Sequence, residues 1–337
     1  MRLLHLFASP VWSGPADLIA TLASAQRALG HDARIAVDRK RAHPPAEEPI
    51  VPRLRALGLL DDGGLELSVK SGPLALLRDW GALRRRAVDV IHAHFSHDHH
   101  LARLAAPRSA VLIRSIHAPR SLKGLPRAHG YTVPCATLLN AVPHRRAIVL
   151  PALVDAAFVP PPDRAALRAK LGFSGEPLIG IVSTFKPSRR HELGLKAFLR
   201  VLRERPGARL LLAGDGAGEA ALRVQVERDP QLRQRVTFAG YRSGPAFVSL
   251  LQALDEVWIL GLGNDYSARA AAQARACGVR VVAVDEGALA EYADALVPTP
   301  DPDAVAEASL GGARRSVRLE SPAQIAERVL SFYEVCR

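Results

Sequence analysis

The sequence predicts an α/β protein built from two Rossmann-like, doubly wound domains. Three observations carry that expectation. The chain has 337 residues, about two domains at roughly 150 residues each. Short apolar runs that suit buried parallel strands alternate with helix-forming stretches, as in residues 256–260, the Ala-rich 268–276 and 279–284. A proline-rich segment, 151–162, divides the chain near its middle. Hydrophobic residues make up 48% of the chain, enough for a core on each side of that segment. No apolar run approaches the ~20 residues of a membrane span.

Residues 3–8 (LLHLFA) read as the first buried strand. They could mimic a short signal peptide, but no small-residue cleavage site follows. A strand-to-helix loop at Ser13–Gly14, a helix over 16–29 closed by Gly30 and a second strand over 33–37 come next. Residues 42–73 are irregular. A basic amphipathic helix over 74–87 sets Leu74, Leu77, Trp80 and Leu83 against Arg78, Arg84, Arg85 and Arg86. It reads as a surface helix covering the sheet, with contact to anionic lipid as the alternative. Strands over 88–94, 111–117, 132–135 and 147–151 follow, with Ser96 or Asp98 capping a helix over 101–106. The second domain opens at 178–183 and continues through strands at 208–213, 235–241, 256–260 and 279–284. A last helix spans 323–336.

The net charge is +12. Residues 1–155 hold 21 Lys and Arg against 12 Asp and Glu, so +9 lies there and +3 in the remainder. An anionic substrate, an anionic membrane surface or nucleic acid would suit this basicity, and so would an Arg-rich composition with no partner at all. No helix-turn-helix, zinc-finger or RNP-like pattern occurs, so no nucleic acid is expected. Three cysteines make no disulfide framework and fit a cytoplasmic protein.

Two stretches suit an anion. Lys186, Arg189 and Arg190 place three cations within five residues between a strand and a helix. The stretch 264–278, NDYSARAAAQARACG, follows another strand, and the N–H groups of Ser267, Ala268, Arg269 and Ala270 would open its helix. His92, His94, His97, Asp98, His99 and His100 invite a metal. Their spacing departs from the His-x-His-x-Asp-His of metallo-β-lactamases, and no second ligand set follows, so no metal is expected.

Several of these strand ends resemble the retaining glycosyltransferases of family 4, the nucleotide-sugar-dependent group 1 type with the GT-B fold. The family pattern of Glu, seven residues, Glu, Ala-Met-Ala-x-Gly falls on Asp265, Gln273 and residues 274–278. Asp-Val-Ile-His-Ala-His matches 89–94, and Thr-x-His matches Ser115-x-His117. Of the family's Pro-Asn-Gly-Val-Asp-x-x-x-Phe-x-Pro, Val154–Asp155 and Phe158-x-Pro160 remain while Ala152–Leu153 replace Asn-Gly, and a Gly-Asp-Gly turn in 214–216 and Val-x-Phe-x-Gly in 236–240 match. Where the family has Gly-Arg-x-x-x-x-Lys-Gly, Thr184 takes the Arg position and Arg189 the Lys position.

The resemblance implies two domains facing a cleft, 1–155 for the acceptor and 156–320 for the donor, with a C-terminal helix, 321–337, returning to the first. It implies that Gly14, Lys186, Arg189, Arg190, Ser267, Ala268 and Arg269 bind the donor diphosphate. Thr184, Gly240, Tyr241 and Gln273 would meet the nucleoside, and Trp12 and His94 the acceptor. His117 and Asp265 would serve catalysis by orienting the sugar. No cofactor or metal is implied, only a nucleotide-diphosphate sugar as co-substrate. The acceptor would be a glycan or glycolipid of lipopolysaccharide or exopolysaccharide synthesis, met in the cytoplasm or at the inner face of the membrane. The alternative is a nucleotide-sugar-binding protein without turnover, because Thr184 and Gln273 depart from the pattern.

Overall fold

Two parallel six-stranded sheets form where the sequence alternates buried strands with helices. The computed structural model describes residues 1–43, 47–67, 72–123, 127–142, 146–262 and 266–337. They fall into two units, Met1–Leu153 with Glu320–Arg337, and Val154–Leu319.

The first unit runs β1 (Arg2–Phe7), α1 (Gly14–Ala28), β2 (Asp32–Val37), α2 (Ile50–Ala56), α3 (Pro73–Arg84), β3 (Val90–Ala93), α4 (Ser96–Ala105), β4 (Val111–Ser115), β5 (Gly130–Val133), α5 (Ala136–Ala141) and β6 (Ala147–Val149). The second runs α6 (Arg164–Lys170), β7 (Leu178–Val182), α7 (His191–Glu204), β8 (Arg209–Ala213), α8 (Glu219–Arg228), α9 (Pro230–Arg235), β9 (Val236–Phe238), α10 (Gly244–Ala253), β10 (Glu256–Ile259), α11 (Arg269–Ala276), β11 (Arg280–Val284), α12 (Leu289–Tyr292), β12 (Ala295–Val297) and α13 (Pro302–Leu310). The chain ends in α14 (Pro322–Val335), which belongs to the first unit and packs along α1.

The first sheet has the order β2-β1-β3-β4-β5-β6 and the second β12-β11-β10-β7-β8-β9. Every neighbouring pair is parallel. Parallel strands are covered on both faces, and β1, β4, β7 and β11 are buried along nearly their whole length. The strand order reverses between β1 and β3 in one sheet and between β7 and β10 in the other. Loops leaving the carboxyl ends of such strand pairs enclose the crevice where open α/β sheets bind ligands.

Two expectations fail here and a third holds in part. The irregular 42–73 contains α2. The helix expected over 101–106 begins at Ser96, and Asp98 sits inside its first turn rather than at its cap. The amphipathic helix covers the sheet with only part of its apolar set: Leu83 packs in the core with Leu4, Leu6 and Ile91, while Leu74 is 80% and Leu77 64% exposed.

Candidate functional site

The crevice of the second sheet is assembled from backbone approaches that only glycine permits. A Cβ on Gly214, which has φ +149°, would lie 2.0 Å from the Ser183 carbonyl oxygen. The chain after β7 therefore rests directly on the turn after β8. Phe185 N–H donates to the Asp215 carbonyl at 2.6 Å and Gly218 N–H to the Phe185 carbonyl at 3.0 Å. Gly214 N–H donates to the Gly240 carbonyl at 3.1 Å, which ties in the end of β9. Thr184 is exposed on this platform, Gly240 turns with φ +68°, and Tyr241 beside it is 60% exposed.

The reversal between β7 and β10 is bridged by cations. Gly261 leaves β10 so close to the β7 loop that a Cβ there would sit 2.1 Å from the Ser188 carbonyl oxygen. Arg189 Nη1 donates to the Gly261 carbonyl at 2.7 Å, and Arg190 Nη1 donates to the Leu260 carbonyl. Arg190 has a left-handed backbone, φ 54°, and begins α7. Its Nη2 pairs with Glu286 Oε1 at 2.7 Å, while Glu286 Oε2 accepts from Leu262 N–H at 3.0 Å. Lys186 is exposed, and among the described residues its ammonium has no carboxylate partner.

These distances change the reading of the three cations. Arg189 and Arg190 hold the loops together through backbone carbonyls, and Glu286 balances the charge of Arg190, whereas Lys186 is the side chain that reaches solvent. Glu286 was not anticipated. The signal was an acid directly after the apolar strand 280–284, at the position where open sheets place their functional side chains.

The helix expected to meet an anion also begins later than its sequence suggests. α11 starts at Arg269, and Ala268 before it is left-handed at φ 52°. Ser267 and Ala268 are buried loop residues, so the first-turn N–H groups come from Arg269 and Ala270 instead of from four residues. Gln273, on the inner face of α11, is 4% exposed. Asp265 lies outside the described residues.

In the first unit a chain of buried hydrogen bonds runs across the sheet. His5 Nε2 meets Gln26 Oε1 at 2.9 Å, and His5 Nδ1 meets His94 Nε2 at 3.1 Å. His94 Nδ1 meets Ser115 Oγ at 3.0 Å, which meets His92 Nε2 at 2.8 Å and Thr132 Oγ1 at 2.9 Å. His92 Nδ1 meets the Tyr333 hydroxyl at 2.7 Å. One assignment satisfies all of them: each ring is neutral, donates from Nε2 and accepts at Nδ1, and Ser115 and Tyr333 donate their hydroxyl protons. Burial agrees with it. It lowers His5 to about 4 and holds His92 and His94 well below the usual imidazole range.

His5, His92 and His94 bring one ligand atom each within 4.8 Å of one another. Both nitrogens of each ring already serve a protein partner, so a cation there would have to break the chain of bonds. His97, His99 and His100, read from sequence alongside His92 and His94, lie on α4 instead.

His94 is fully buried with both nitrogens engaged, so its side chain does not meet an acceptor; this corrects the acceptor-side assignment. Its carbonyl does position a candidate, since His117 Nε2 donates to it at 3.1 Å. His117 is half-buried just beyond β4. Trp12 is half-buried with Arg53 stacked 4.0 Å from its ring centre, so one face is already covered. Gly14 opens α1, and its Ser13 cap contributes no side-chain bond to that terminus.

Two six-stranded parallel sheets with flanking helices, each with a strand-order reversal, define the class: a GT-B protein of two Rossmann-like domains. The family comparisons agree. Residues 12–152 match Glycosyltransferase Family 4, and residues 176–311 match Glycosyl transferases group 1. The chain belongs to this glycosyltransferase family.

A D-inositol 3-phosphate glycosyltransferase of Nocardia farcinica is 30% identical over 148 residues, 42% of this chain and 33% of that protein. A GDP-mannose-dependent monoacylated alpha-(1-6)-phosphatidylinositol monomannoside mannosyltransferase of Corynebacterium glutamicum is 33% identical over 157 residues, 42% of this chain and 39% of the relative. The chain thus spans little more than a third of these relatives' length. Among solved structures, Anabaena HepE in complex with UDP superposes with a TM-score of 0.73 at 16% identity, covering 99% of this chain and 100% of that one. Sucrose-phosphate synthase from Thermosynechococcus elongatus gives 0.68 at 18%, covering 100% and 96%. At such identities the likeness is one of fold. Among the described residues, no helix is long and apolar enough to cross a membrane.

Proposed function

We propose that the protein is a metal-independent, retaining glycosyltransferase that moves a sugar from a nucleotide-diphosphate sugar to a hydroxyl of a surface glycan or glycolipid precursor. The observation that carries this reading is the cationic crevice at the β7/β10 reversal. There Lys186, Arg189 and Arg190 lie on the loop after β7, which rests on a glycine-lined floor, and the other strand of the reversal, β10, leads on to α11. Fixed donors aimed at a departing diphosphate stabilise charge as it develops, the task a metal performs elsewhere. Thr184, Gly240 and Tyr241 border the same floor and suit the nucleoside. His117, Asp265 and Gly14 keep the roles that the family resemblance gives them.

The relatives named for inositol phosphate and phosphatidylinositol mannoside favour a polyol hydroxyl near a phosphate as the acceptor. The lipopolysaccharide assignment keeps only its general form, a glycolipid acceptor. That chemistry fits a protein working at the inner face of the membrane through peripheral contact with anionic lipid.

A thermal-shift screen against UDP-, GDP- and ADP-sugars tests the reading, because a ligand at ~100 times its Kd adds about 2.7 kcal/mol of stability. Lys186→Ala should weaken the ligand found by about tenfold, since a charge-assisted contact contributes roughly 1.5–3 kcal/mol. Transfer should survive EDTA. No shift with any nucleotide sugar overturns the proposal.

The second reading is a binding protein without turnover. It is favoured by Gln273, a buried amide where the family has an acid. Donor binding without transfer or donor hydrolysis would establish it. Restored transfer in Gln273→Glu would locate the defect.

A further inference from the structure

The α3 helix buries Asp79 and Leu83 and turns its other large apolar side chains outward. Its Asp79 is 1% exposed and accepts from the N–H groups of Glu66 at 2.8 Å and Leu67 at 3.0 Å. Leu74, Leu77 and Trp80 face solvent at 80%, 64% and 44% exposure, and Leu104 of α4 joins them at 72%. The Trp80 indole N–H donates to the Leu104 carbonyl at 3.2 Å, which holds the two helices as one apolar face.

Beside that face a cavity of about 370 Å³ opens between the carboxyl end of α4 and the beginnings of β4 and β5. Arg84, Arg103, Arg108 and Arg127 line it, and no carboxylate does among the described residues. None of the four arginines has a carboxylate partner among those residues either. His129 accepts the Leu112 N–H on Nδ1 at 2.9 Å, so its neutral ring carries the proton on Nε2 and adds another donor. Arg84 also donates to the Ala106 carbonyl at 3.4 Å, offsetting the negative end of α4. The cavity lies at the amino-terminal edge of its sheet, opposite the edge that carries Gly14 and His117.

We propose that this cavity binds the headgroup phosphate of an anionic phospholipid while Leu74, Leu77, Trp80 and Leu104 enter the bilayer interface. Guanidinium forks suit phosphate oxygens. A soluble phosphate would need no apolar rim, whereas a bilayer supplies both chemistries at the same depth. The inference rests on the proposed function only in placing the acceptor at a membrane.

The test is flotation of the full chain with vesicles of phosphatidylcholine alone or containing phosphatidylglycerol. The protein should float with the anionic vesicles and far less with the neutral ones. Arg103→Ala/Arg108→Ala should lower partitioning onto anionic vesicles about thirtyfold, at about 1 kcal/mol for each arginine, and abolish the preference. Leu74→Ser/Leu77→Ser should weaken partitioning further while leaving the fold unchanged, because both side chains are exposed. Equal flotation on both vesicle types, or an arginine variant that floats like the parent, overturns the inference. Calorimetric binding of pyrophosphate, lost in the arginine variant and unaccompanied by flotation, would assign the cavity to a soluble phosphate and overturn the lipid. Nucleotide-sugar thermal shifts on the same variants separate the two proposals, since flotation and donor binding can fail independently.

Discussion

The two sheets solve the same local problem with opposite charges. In the second, the reversal between β7 and β10 is closed by guanidinium groups that donate to the carbonyls of Leu260 and Gly261. In the first, the reversal between β1 and β3 is closed by a carboxylate. Asp98 Oδ1 accepts from Ala8 N–H at 3.0 Å, and Oδ2 accepts from Phe95 N–H at 2.9 Å. The consequence for ligands follows directly. Asp98 consumes the backbone donors that would otherwise greet a phosphate and puts an acidic group in their place. The arginines occupy acceptors instead, and Lys186 beside them reaches solvent. This contrast supports placing the proposed diphosphate site in the second unit.

Acid should break the comparison with the largest effect. His5, near 4, and His92 and His94, well below the usual range, stay neutral when folded and must charge once exposed. His99 is likewise lowered by burial, to about 4. For a histidine with a depressed folded pKa, the unfolded state binds more protons between about 6.5 and the folded value, so stability is intact above about 6.5 and falls as the pH drops through that window. Asp98 works the other way: burial raises it to about 7, so its protonation favours the folded state as the pH falls below 7 and offsets one histidine. Three uncompensated rings give a slope of up to about 4 kcal/mol per pH unit. The second unit has one comparable ring, His191, lowered to about 4. Hydrogen exchange corrected for intrinsic rates should show residues 1–153 losing protection before 154–319 as the pH falls from 7 to 5. Simultaneous loss would show that the buried rings do not set the acid limit.

Gly214→Ala breaks the other side. Its Cβ would meet a backbone carbonyl, which cannot swing away as a side chain can. Strain and overpacking together should cost about 3 kcal/mol or more in urea unfolding. The Thr184 loop would shift with Ser183, so nucleotide-sugar binding should fall by more than stability alone explains. Retained binding at unchanged affinity would remove that loop from the site.

Asp98→Ala is next in size. It strands two buried N–H groups and should cost about 2 kcal/mol or more. It also removes the group that opposes the histidines, so the acid transition should become steeper even as the protein becomes weaker. A shallower transition would contradict the assignment of Asp98 as a raised carboxyl.

Much of this was legible in the sequence, and the missing parts share a cause. The first sheet and five strands of the second follow from apolar runs that act locally, whereas the short β12 does not show in them. The three cations of the Lys186–Arg190 loop are legible for the same reason. The start of α4 was not, because His97, Asp98, His99 and His100 carry no apolar period that would extend the helix back to Ser96. Nor could a local pattern show that Asp98 spans two strand ends, that Arg189 and Arg190 would spend donors on carbonyls about 70 residues away, or that α3 would turn Leu74 outward. Each depends on a partner distant in the chain. His94 was misplaced for this reason: a histidine at the end of a strand looks available until its partners on the neighbouring strands, His5 and Ser115, are known.

The helix α14 reaches the same network at His92, and its Tyr333 supplies the smallest and sharpest test. Its hydroxyl meets His92 Nδ1 across 241 positions of sequence. Tyr333→Phe keeps the ring packed and removes only the donor, leaving His92 Nδ1 buried without a partner. The cost should be about 1–2 kcal/mol. If the His92 tautomer depends on that donor, the loss should couple to Ser115, which accepts from the other side of the ring. Ser115→Ala alone strands His94 Nδ1 and leaves His92 Nε2 only its longer contact to Thr132 Oγ1 at 3.3 Å. Combined with Tyr333→Phe it should cost less than the sum of the two, with a coupling of about 0.5 kcal/mol or more. Strict additivity would mean that the buried bonds act as separate pairs, so that His117, held by the His94 carbonyl, would not feel the C-terminal helix through them.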